Sequence, residues 1–394
     1  MAIKKVAVWG TRAVLVALVG AVATGGCGNS KPSPSNTPAQ TEDGQKIFRN
    51  ETFGDEQFWT GTLQMHQVIA MAVDPMTALK VGLKVDAQAL PAGILAQVDL
   101  TSPATTVALL KMNAVVGLKG TVVTEGGQDR LMSVGITCAL CHSTVDNALA
   151  PGIGNRLDGY PNHDLDPGAI IALSPALTAD QKMVYNSWGP GKYDPRYNVD
   201  GLNGPVVIPP AYGLKDVPHA TYTGDGDIRY WNNYVAVTQM GGQGTFMDDR
   251  LGVNKSLSAG MPDLVKPKLD ALRDYQFSLA APAAPAGSFD AAAAGRGRGT
   301  FDQRCASCHK ADLGWSDDQL HAAAEVGVDA GYANRSASKM YRATPLRALG
   351  QHPPYFHDGS AATLPAVVDH YDQTLQLGLG APEKADLIEY LKSL

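Results

Sequence analysis

Apolar residues recur every three or four positions in two stretches, one near each end of the globular part of the chain. In residues 57–73 the apolar side chains are Phe58, Leu63, Met65, Val68, Ile69 and Val73. In residues 383–394 they are Ala385, Leu387, Ile388, Leu391 and Leu394. Such spacing predicts amphipathic helices. Residues 120–137 have strand character instead, and the Gly126-Gly127 pair predicts a turn within them.

The rest of the chain divides by composition. Residues 138–280 are rich in glycine and proline, which predicts long ordered loops. A sharp shift to alanine and proline then marks a linker, which we place at residues 281–294. We therefore predict a mainly α protein of two domains with long loops. Residues 45–280 would form a helical N-terminal extension plus the first domain, and residues 295–394 the second.

The N-terminal residues have the features of an export segment. Two lysines and an apolar run at residues 13–23 precede Cys27, and the run is too short for a comfortable membrane span. Residues 28–44 form a Ser/Pro-rich tether. Residues 1–27 thus resemble a bacterial lipoprotein signal, which implies a lipid anchor at Cys27 and no other contact with the membrane. A cleaved signal peptide is the alternative, and both place the protein in the periplasm or cell envelope.

The net charge of the chain limits its partners. At pH 7 the formal net charge is −6, whereas nucleic-acid binding requires a basic face. We therefore expect no nucleic-acid partner.

Four of the five cysteines lie in two pentapeptides of the same form, C-x-x-C-H. The first contains Cys138, Cys141 and His142, and the second contains Cys305, Cys308 and His309. This spacing lets two thiols attach to the two vinyl groups of one haem, while the histidine binds the iron as proximal ligand.

A redox C-x-x-C motif or half of a zinc site is the alternative for each pentapeptide. Zinc requires four closely spaced ligands, and the two pairs lie far apart in the chain. With 9 histidines in 394 residues, chance would place a histidine after both pairs on the order of once in two thousand sequences. We therefore predict two covalently bound c-type haems.

The second pentapeptide lies in a recognisable frame. Gly297, Phe301 and Cys305 are spaced four apart on one helical face, and the chain ends in LIEYLK. This frame resembles class I cytochrome c, in which the glycine lets the first and last helices cross closely. Within residues 341–372, the pieces PLRAL, PYFHDGS and VVDHY resemble the C-terminal domain of di-haem cytochrome c peroxidases and of the enzyme that matures methylamine dehydrogenase.

The first half of the chain is more similar to the di-haem rubber oxygenase branch of that superfamily. The similar pieces are ITCALCH at residues 136–142 and YTGDGDIRYWNNYVAVTQMGGQGTF at residues 222–246. Together the resemblances imply two cytochrome c-like domains. The chain is much shorter than the oxygenase, so only the class of protein is carried over, and not its substrate.

The distal ligand of each iron decides between chemistry and electron transfer. For the His309 haem the resemblance to the methylamine branch implies Tyr371, and we keep His357, His370 and Met340 as alternatives.

For the His142 haem the resemblance to the oxygenase implies an open iron covered by Phe246. Trp231 would then be an electron bridge between the haems. The alternatives are that these aromatic residues are ordinary core residues, or that Met240 is a thioether ligand.

Two functions follow. The first is an oxidoreductase, peroxidase- or oxygenase-like at the His142 haem, with electron transfer through the His309 haem. The second is an electron carrier with both haems six-coordinate. The expected partners are a small cytochrome or cupredoxin and, for the enzyme, peroxide, dioxygen or a small organic substrate. The oxygen-rich turn at residues 198–204 is a further candidate site, for Ca²⁺, with a solvated turn as the alternative.

Overall fold

The computed structural model describes residues 38–394, in which short helices alternate with long loops. The α-helices, in chain order, are α1 (Pro38–Asn50), α2 (Met65–Ala72), α3 (Pro75–Lys80), α4 (Pro103–Lys111), α5 (Ala139–His142), α6 (Pro167–Ala172), α7 (Ala179–Asn186), α8 (Tyr197–Asp200), α9 (Ile228–Tyr234), α10 (Leu269–Ser278), α11 (Ala291–Arg304), α12 (Ala323–Val326), α13 (Leu364–Thr374) and α14 (Ala381–Ser393). Two π-helical segments, Gln57–Thr62 and Val235–Gln239, add to them.

The strands pair only in twos. In chain order they are β1 (Val85–Asp86), β2 (Leu118–Glu125), β3 (Gln128–Ile136), β4 (Ser143–Val145), β5 (Ile153–Gly154), β6 (Arg156–Asp158), β7 (Lys192–Tyr193), β8 (Val206–Val207), β9 (Phe246–Asp248), β10 (Val253–Lys255), β11 (Leu320–His321) and β12 (Tyr341–Arg342). The pairs are β1–β5, β2–β3, β4–β6, β7–β8, β9–β10 and β11–β12. The described part of the chain is therefore α-rich with small sheets.

The hairpin β2–β3 is the longest of these ladders, and its place in the sequence was predicted. Its turn is Gly126-Gly127, and both glycines have positive φ, which glycine adopts without strain. The ladder pairs Leu118 with Ile136 at its open end. The hairpin therefore delivers the chain directly to Cys138.

The predicted helix at residues 57–73 is divided in two. A π-helical segment ends at Thr62, and α2 begins at Met65, because Gln64 between them has a left-handed backbone (φ 57°). The predicted positions Leu63, Met65, Ile69 and Val73 are buried. Phe58 and Val68 are only partly buried, and Trp59 is buried in place of Phe58. The break rotates the second half relative to the first, which a repeat of apolar positions does not reveal.

Helices α11 and α14 cross closely at a glycine. A Cβ atom on Gly297 would lie 2.0 Å from the carbonyl oxygen of Asp386, so no larger residue fits there. Beside the crossing, the rings of Phe301 and Tyr390 lie 5.1 Å apart. Arg296 forms two hydrogen bonds with Asp386 (2.7 and 2.6 Å) on the exposed side. The Gly297–Phe301 spacing thus predicted the crossing correctly.

The apolar cores group on either side of the predicted linker. Two clusters are built from residues before it. The cluster centred on Phe301 and Leu387 is built from residues after it and from Phe289 and Ala294 at the end of the linker. A small fourth cluster joins Val206 to Tyr332 and Tyr341. The last linker residues already form the first turn of α11, because the Asp290 carboxylate accepts from the N–H groups of that turn. The division into two domains stays a prediction, since residues 36–394 form one compact unit.

The predicted export segment, the lipid anchor at Cys27 and residues 28–37 of the tether lie outside the described residues. The prediction of a tether was wrong for residues 38–44, which form the first part of α1. Within residues 38–394, no helix combines the length and the apolar character needed to cross a membrane.

Candidate haem-binding sites

The first pentapeptide forms a single helical turn directly after β3. Cys138 caps α5, and the backbone N–H of His142 donates to the carbonyl of Cys138 at 3.2 Å. The backbone of Gly117 packs against the same turn, where a Cβ atom would lie 2.2 Å from Leu140 Cα. The turn is therefore held on two sides, and both thiols project from one short segment.

His142 is held in the form that a metal ligand requires. Its Nδ1 lies 3.1 Å from the carbonyl oxygen of Pro209. A carbonyl only accepts, so Nδ1 carries the proton and the lone pair is left on Nε2. Burial lowers the pKa of His142 to about 4, and the imidazole is therefore neutral at pH 7.

The two thiols of the first pentapeptide are shielded from solvent. Burial raises the pKa of both Cys138 and Cys141 to about 12. A haem thioether would leave each sulfur uncharged, which is compatible with this surrounding.

A buried carboxyl group lies beside this site. Asp55 is fully buried, and its two carboxyl oxygens accept from the backbone N–H of Ile136 at 3.2 Å. Burial raises the pKa of Asp55 to about 9, with smaller contributions from Glu56 and Glu51. The group is therefore a neutral acid at pH 7.

The buried proton of Asp55 predicts a pH dependence of stability. The folded protein keeps this proton up to about pH 9, whereas an unfolded chain releases it near pH ~4. The folded state binds more protons between these values, so its stability falls as pH rises through this window. We expect Asp55→Asn to raise the free energy of unfolding at pH 8 by about 5 kcal/mol, since each pH unit above pH ~4 costs the wild type about 1.4 kcal/mol, and to leave it nearly unchanged at pH 4. Urea unfolding at both pH values measures this, with the exposed Asp312→Asn as control. An equal effect at both pH values would contradict the buried proton.

The second pentapeptide follows the end of α11. Cys305 caps the helix by donating its N–H to the carbonyl of Phe301 at 2.8 Å. His309 Nδ1 lies 2.7 Å from the carbonyl oxygen of Trp315, and burial lowers the pKa of this histidine. His309 is thus neutral with Nε2 unprotonated, the same arrangement that Pro209 gives to His142.

A cavity of about 260 Å³ opens beside the second pentapeptide. A single water needs only about 10–15 Å³ on this measure, so the space is a built site rather than a packing defect. Cys305, Cys308 and His309 line one side, and Tyr371 and His357 lie among the other lining residues. Apolar side chains make up much of the wall, including Val367, Val368, Leu375, Leu377, Leu387 and Leu391.

The cavity also contains a cation suited to a carboxylate. Arg342 is buried, burial lowers its pKa to about 10, and its Nε has no hydrogen-bond partner. Its Nη1 donates to the carbonyl of His219. Because Arg342 lines the cavity, its guanidinium places a positive charge in the wall. Apolar walls, two thiols, a neutral imidazole and this guanidinium together fit a c-type haem with its propionates.

The structure separates the four candidate distal ligands of this haem. Tyr371 on α13 and His357 both line the cavity, whereas His370 and Met340 do not. His370 Nε2 lies 2.8 Å from the carbonyl oxygen of Val326, and the side chain of Met340 is 40% exposed.

The two remaining candidates for the distal ligand, His357 and Tyr371, differ in the contacts that they already make. His357 Nε2 lies 3.1 Å from the Tyr341 hydroxyl, and the two rings stack 4.7 Å apart. Burial raises the pKa of Tyr371 to about 12, with smaller contributions from Cys308 and Cys305. Tyr371 is thus a buried phenol facing the same cavity as the attachment cysteines.

Trp231 and Phe246, which were predicted to lie at the open side of the first haem, belong to a cluster that contacts Cys138. Trp231 on α9 and Phe246 on β9 are both buried, in one apolar cluster against which Cys138 packs. The ring of Phe246 lies 5.2 Å from that of Tyr234, which lies 5.2 Å from Trp231. Met240 is buried in the same cluster. The structure therefore brings these residues together, and their roles at an iron stay predictions.

Sequence patterns did not reveal a buried arginine at this cluster. Arg196 is only 2% exposed, and its Nη2 lies 2.5 Å from Asp225 Oδ2. Its guanidinium lies 5.6 Å from the ring centre of Trp231 and 5.8 Å from that of Tyr332. The partners are distant in sequence, so no local spacing of residues could have predicted the contact.

One segment, residues 206–213, separates the two candidate sites. Pro209 accepts the Nδ1–H of His142 through its carbonyl, and Pro209 also lines the cavity of His309. Beside it, the N–H of Val207 donates to the carbonyl of His357 at 2.8 Å. The proximal side of the first site and the cavity of the second therefore share one wall.

The oxygen atoms of the predicted Ca²⁺ site are bound by an arginine. Arg335 donates to both carboxylate oxygens of Asp194 (2.9 and 3.0 Å) and to both of Asp200 (2.9 and 2.8 Å). It also donates to the carbonyl oxygens of Leu202 and Gly204. A cation therefore does occupy this turn, in the form of a guanidinium from the other part of the chain.

A second group of possible metal ligands overlaps the haem site. Cys308, Asp317 and His321 each place a ligand atom within 4.8 Å of the others. His321 Nε2 lies 3.1 Å from Asp317 Oδ2. The two uses compete, because a Cys308 sulfur joined to haem no longer offers a thiolate.

Comparisons with known proteins give partial likenesses only. No protein-family model matches the chain, and no curated protein matches it. Among solved structures, hydrazine synthase of Kuenenia stuttgartiensis matches with 19% identity over 50% of this chain and 74% of its own, at a TM-score of 0.35. A MauG-like protein associated with microbial copper homeostasis matches with 17% identity over 49% of this chain and 76% of its own, at a TM-score of 0.36.

Proposed function

We propose that this protein is an exported di-haem c-type cytochrome that acts as an oxidoreductase. The observation that carries this is the repeated arrangement at Cys138–His142 and Cys305–His309. In each, two thiols and a neutral imidazole lie on one turn, with Nδ1 bonded to a carbonyl (Pro209 or Trp315). When bound, each haem supplies an iron that changes oxidation state and, where a position is open, binds a small ligand.

The two sites differ in the residues near the expected distal position of the iron, and this position decides function. In the cavity of His309, a phenol and an imidazole line the wall, so a second protein ligand is at hand. At the first site, the nearby cluster offers the apolar rings of Phe246 and Trp231. We propose that His142 holds the haem that binds peroxide or dioxygen, with Phe246 excluding water. His309 then holds the haem that passes electrons to it.

Electrons would arrive from a soluble partner, either a small cytochrome or a cupredoxin. Between the sites we propose a relay through Trp231, Arg196 and Tyr332. The ring of Tyr332 stacks on His357 at 6.3 Å, and His357 lines the cavity of His309. A lipid anchor at Cys27 would keep the protein at the cell envelope near such partners.

Ligand binding tests the proposal directly. We expect cyanide with the oxidised protein, or carbon monoxide with the half-reduced and fully reduced forms, to change the visible spectrum of one haem out of two. The alternative function, an electron carrier with both irons six-coordinate, predicts that neither haem responds in any of the three forms. That result would contradict the enzymatic function and support the function of an electron carrier.

The ligand of the second haem is tested by Tyr371→Phe. A phenolate stabilises ferric iron, so its loss is expected to raise the midpoint potential of one haem and to open a ligand position there. Spectroelectrochemical titration measures the potential, and carbon monoxide binding measures the open position. His357→Gln is the matched comparison, because its side chain lines the same cavity. If His357→Gln changes the coordination and Tyr371→Phe does not, then His357 is the ligand.

A further inference from the structure

The ring of His163 bridges two backbone carbonyl groups. Its Nδ1 lies 2.9 Å from the carbonyl oxygen of Pro353, and its Nε2 lies 2.9 Å from the carbonyl oxygen of Ile208. A carbonyl oxygen only accepts, so each ring nitrogen must carry a proton to form its hydrogen bond. A neutral imidazole has a single N–H, and its lone pair would point at the other oxygen. The two contacts therefore require an imidazolium.

The surroundings of His163 are compatible with this charge. The side chain is only partly buried, so water still solvates it. Two other histidines interact with it electrostatically, His142 and His352, and burial lowers the pKa of each to about 4. Both are neutral at pH 7 and do not repel a cation. The carboxylate next in sequence, that of Asp164, forms an ion pair with Lys84.

The charge is held in the wall between the two candidate sites. The backbone N–H of Asn162, the residue before His163, donates to the carbonyl of Cys141 in the first pentapeptide at 2.9 Å. The ring itself lines the cavity of the second site, as does Ile208, to which the ring donates. The imidazolium is therefore fixed beside the space that the second haem would fill.

A fixed positive charge at this place acts on the iron of the second haem. The ferric state carries one more positive charge than the ferrous state, so a nearby cation disfavours it. The repulsion is stronger in and near a protein than in bulk water, because the effective dielectric constant is lower there. A cation in the cavity wall thus raises the midpoint potential of the haem and favours the uptake of an electron.

We propose that His163 is an imidazolium at neutral pH and that its charge raises the midpoint potential of the haem at His309. The protonation state rests on the two hydrogen bonds of the ring alone. The effect on the potential rests in addition on the haem at His309 in the proposed function, where that haem accepts electrons from the partner protein.

The protonation state can be measured in the unaltered holoprotein. Nitrogen-15 NMR with labelled histidine distinguishes a ring with two N–H groups from a neutral ring, in which the two nitrogens differ strongly in chemical shift. The fully reduced protein under carbon monoxide is suitable, because both irons are then diamagnetic. At pH 7 we expect the ring signals that disappear in His163→Gln to be those of an imidazolium. A neutral ring at this position overturns the proposal.

Three variants test the effect of the charge. They are made in a chain in which serine replaces Cys138 and Cys141, so that only the haem at His309 is attached. We expect His163→Gln, which keeps an N–H donor and loses the charge, to lower the midpoint potential. His163→Lys keeps the charge and should stay near the wild-type value. His352→Gln is the matched control, because His352 lines the same cavity and is neutral, and it should leave the potential unchanged.

The outcomes distinguish charge from packing. An unchanged potential in His163→Gln overturns the role at the second haem, and an equal fall in His163→Lys overturns the role of the charge. A fall of the same size in His352→Gln overturns the assignment to His163. None of these measurements requires an open iron. An electron carrier with two six-coordinate haems would fail the ligand-binding test and still pass this one, so the two proposals fail separately.

Discussion

Replacement of Cys305 and Cys308 by serine is expected to halve the covalently bound haem, from two groups per chain to one. The C-x-x-C-H turn attaches haem through both sulfurs, and serine hydroxyls do not add to the vinyl groups. Serine is nearly isosteric with cysteine, so the turn capped by the Cys305 N–H bond to Phe301 is kept. The pyridine haemochrome assay and the intact mass of the exported protein measure the loss.

The same variant should also be strongly destabilised. Without haem, the apolar cavity of about 260 Å³ must stay empty or collapse. At about 24 cal/mol per Å³, an empty cavity of this size costs about 6 kcal/mol. The whole stability of a typical domain is about 5–15 kcal/mol. We therefore expect residues 295–394 to lose protection from proteolysis, because the proposed haem would fill part of their core.

The reciprocal variant, with serine at Cys138 and Cys141, separates attachment from instability. It should also retain one haem, and the retained haem should respond to Tyr371→Phe. If either double variant still carried two haems per chain, that pentapeptide would not be an attachment site. A zinc content of one per chain in the unmodified protein, without haem, would favour the ligand group of Cys308, Asp317 and His321 instead.

Local patterns were sufficient to find the two C-x-x-C-H turns and the helix crossing at Gly297, while haem attachment at these turns stays a prediction. C-x-x-C-H is a spacing within one helical turn, and Gly297 with Phe301 is a spacing on one helix face, so both can be recognised without knowing the fold. The hairpin at Gly126-Gly127 belongs to the same category, since a turn and its two strands are adjacent in sequence.

Contacts between distant segments could not be predicted in this way. Arg196 meets Tyr332, and Arg335 meets Asp194, across more than a hundred residues. Each of these arginines lies in a polar loop sequence that is typical of solvated turns, and only the folded chain buries them. The oxygen-rich turn at residues 198–204 was predicted as a Ca²⁺ site or a solvated turn, and neither prediction included the guanidinium of Arg335 that contacts it.

Replacement of Arg335 by alanine, which breaks a buried ion pair with Asp194, is expected to cause a larger loss of stability than the loss of an exposed ion pair. Asp194 is fully buried and Asp200 only partly exposed, at 26%. Burial opposes the charge of Arg335, but its hydrogen bonds to Asp200 and Asp194 outweigh this and raise its pKa. Without Arg335, Asp194 keeps only the backbone N–H donors of Arg196, Tyr197 and Gly204. Loss of one partner from a buried ion pair costs up to about 3–5 kcal/mol. Urea unfolding measures the change in the free energy of unfolding.

Two further variants show whether this loss comes from the guanidinium. Arg130→Ala removes an exposed pair with Glu125 and should cost no more than about 1 kcal/mol. Arg335→Lys keeps the charge but cannot bridge Asp194, Asp200 and two carbonyls at once, so its stability should fall between those of wild type and Arg335→Ala. A loss below about 1 kcal/mol in Arg335→Ala would contradict a buried, charged Asp194.

A further measurement tests whether Ca²⁺ can replace the guanidinium of Arg335. In Arg335→Ala the carboxylates of Asp194 and Asp200 and the carbonyls of Leu202 and Gly204 lose the guanidinium, and such oxygens are the ligands that Ca²⁺ prefers. Millimolar Ca²⁺ should therefore raise the melting temperature of Arg335→Ala and leave the wild type unchanged, because in the wild type the guanidinium already fills the turn. Equal stabilisation of both proteins would show instead that Ca²⁺ binds beside Arg335, as the composition of residues 198–204 predicts.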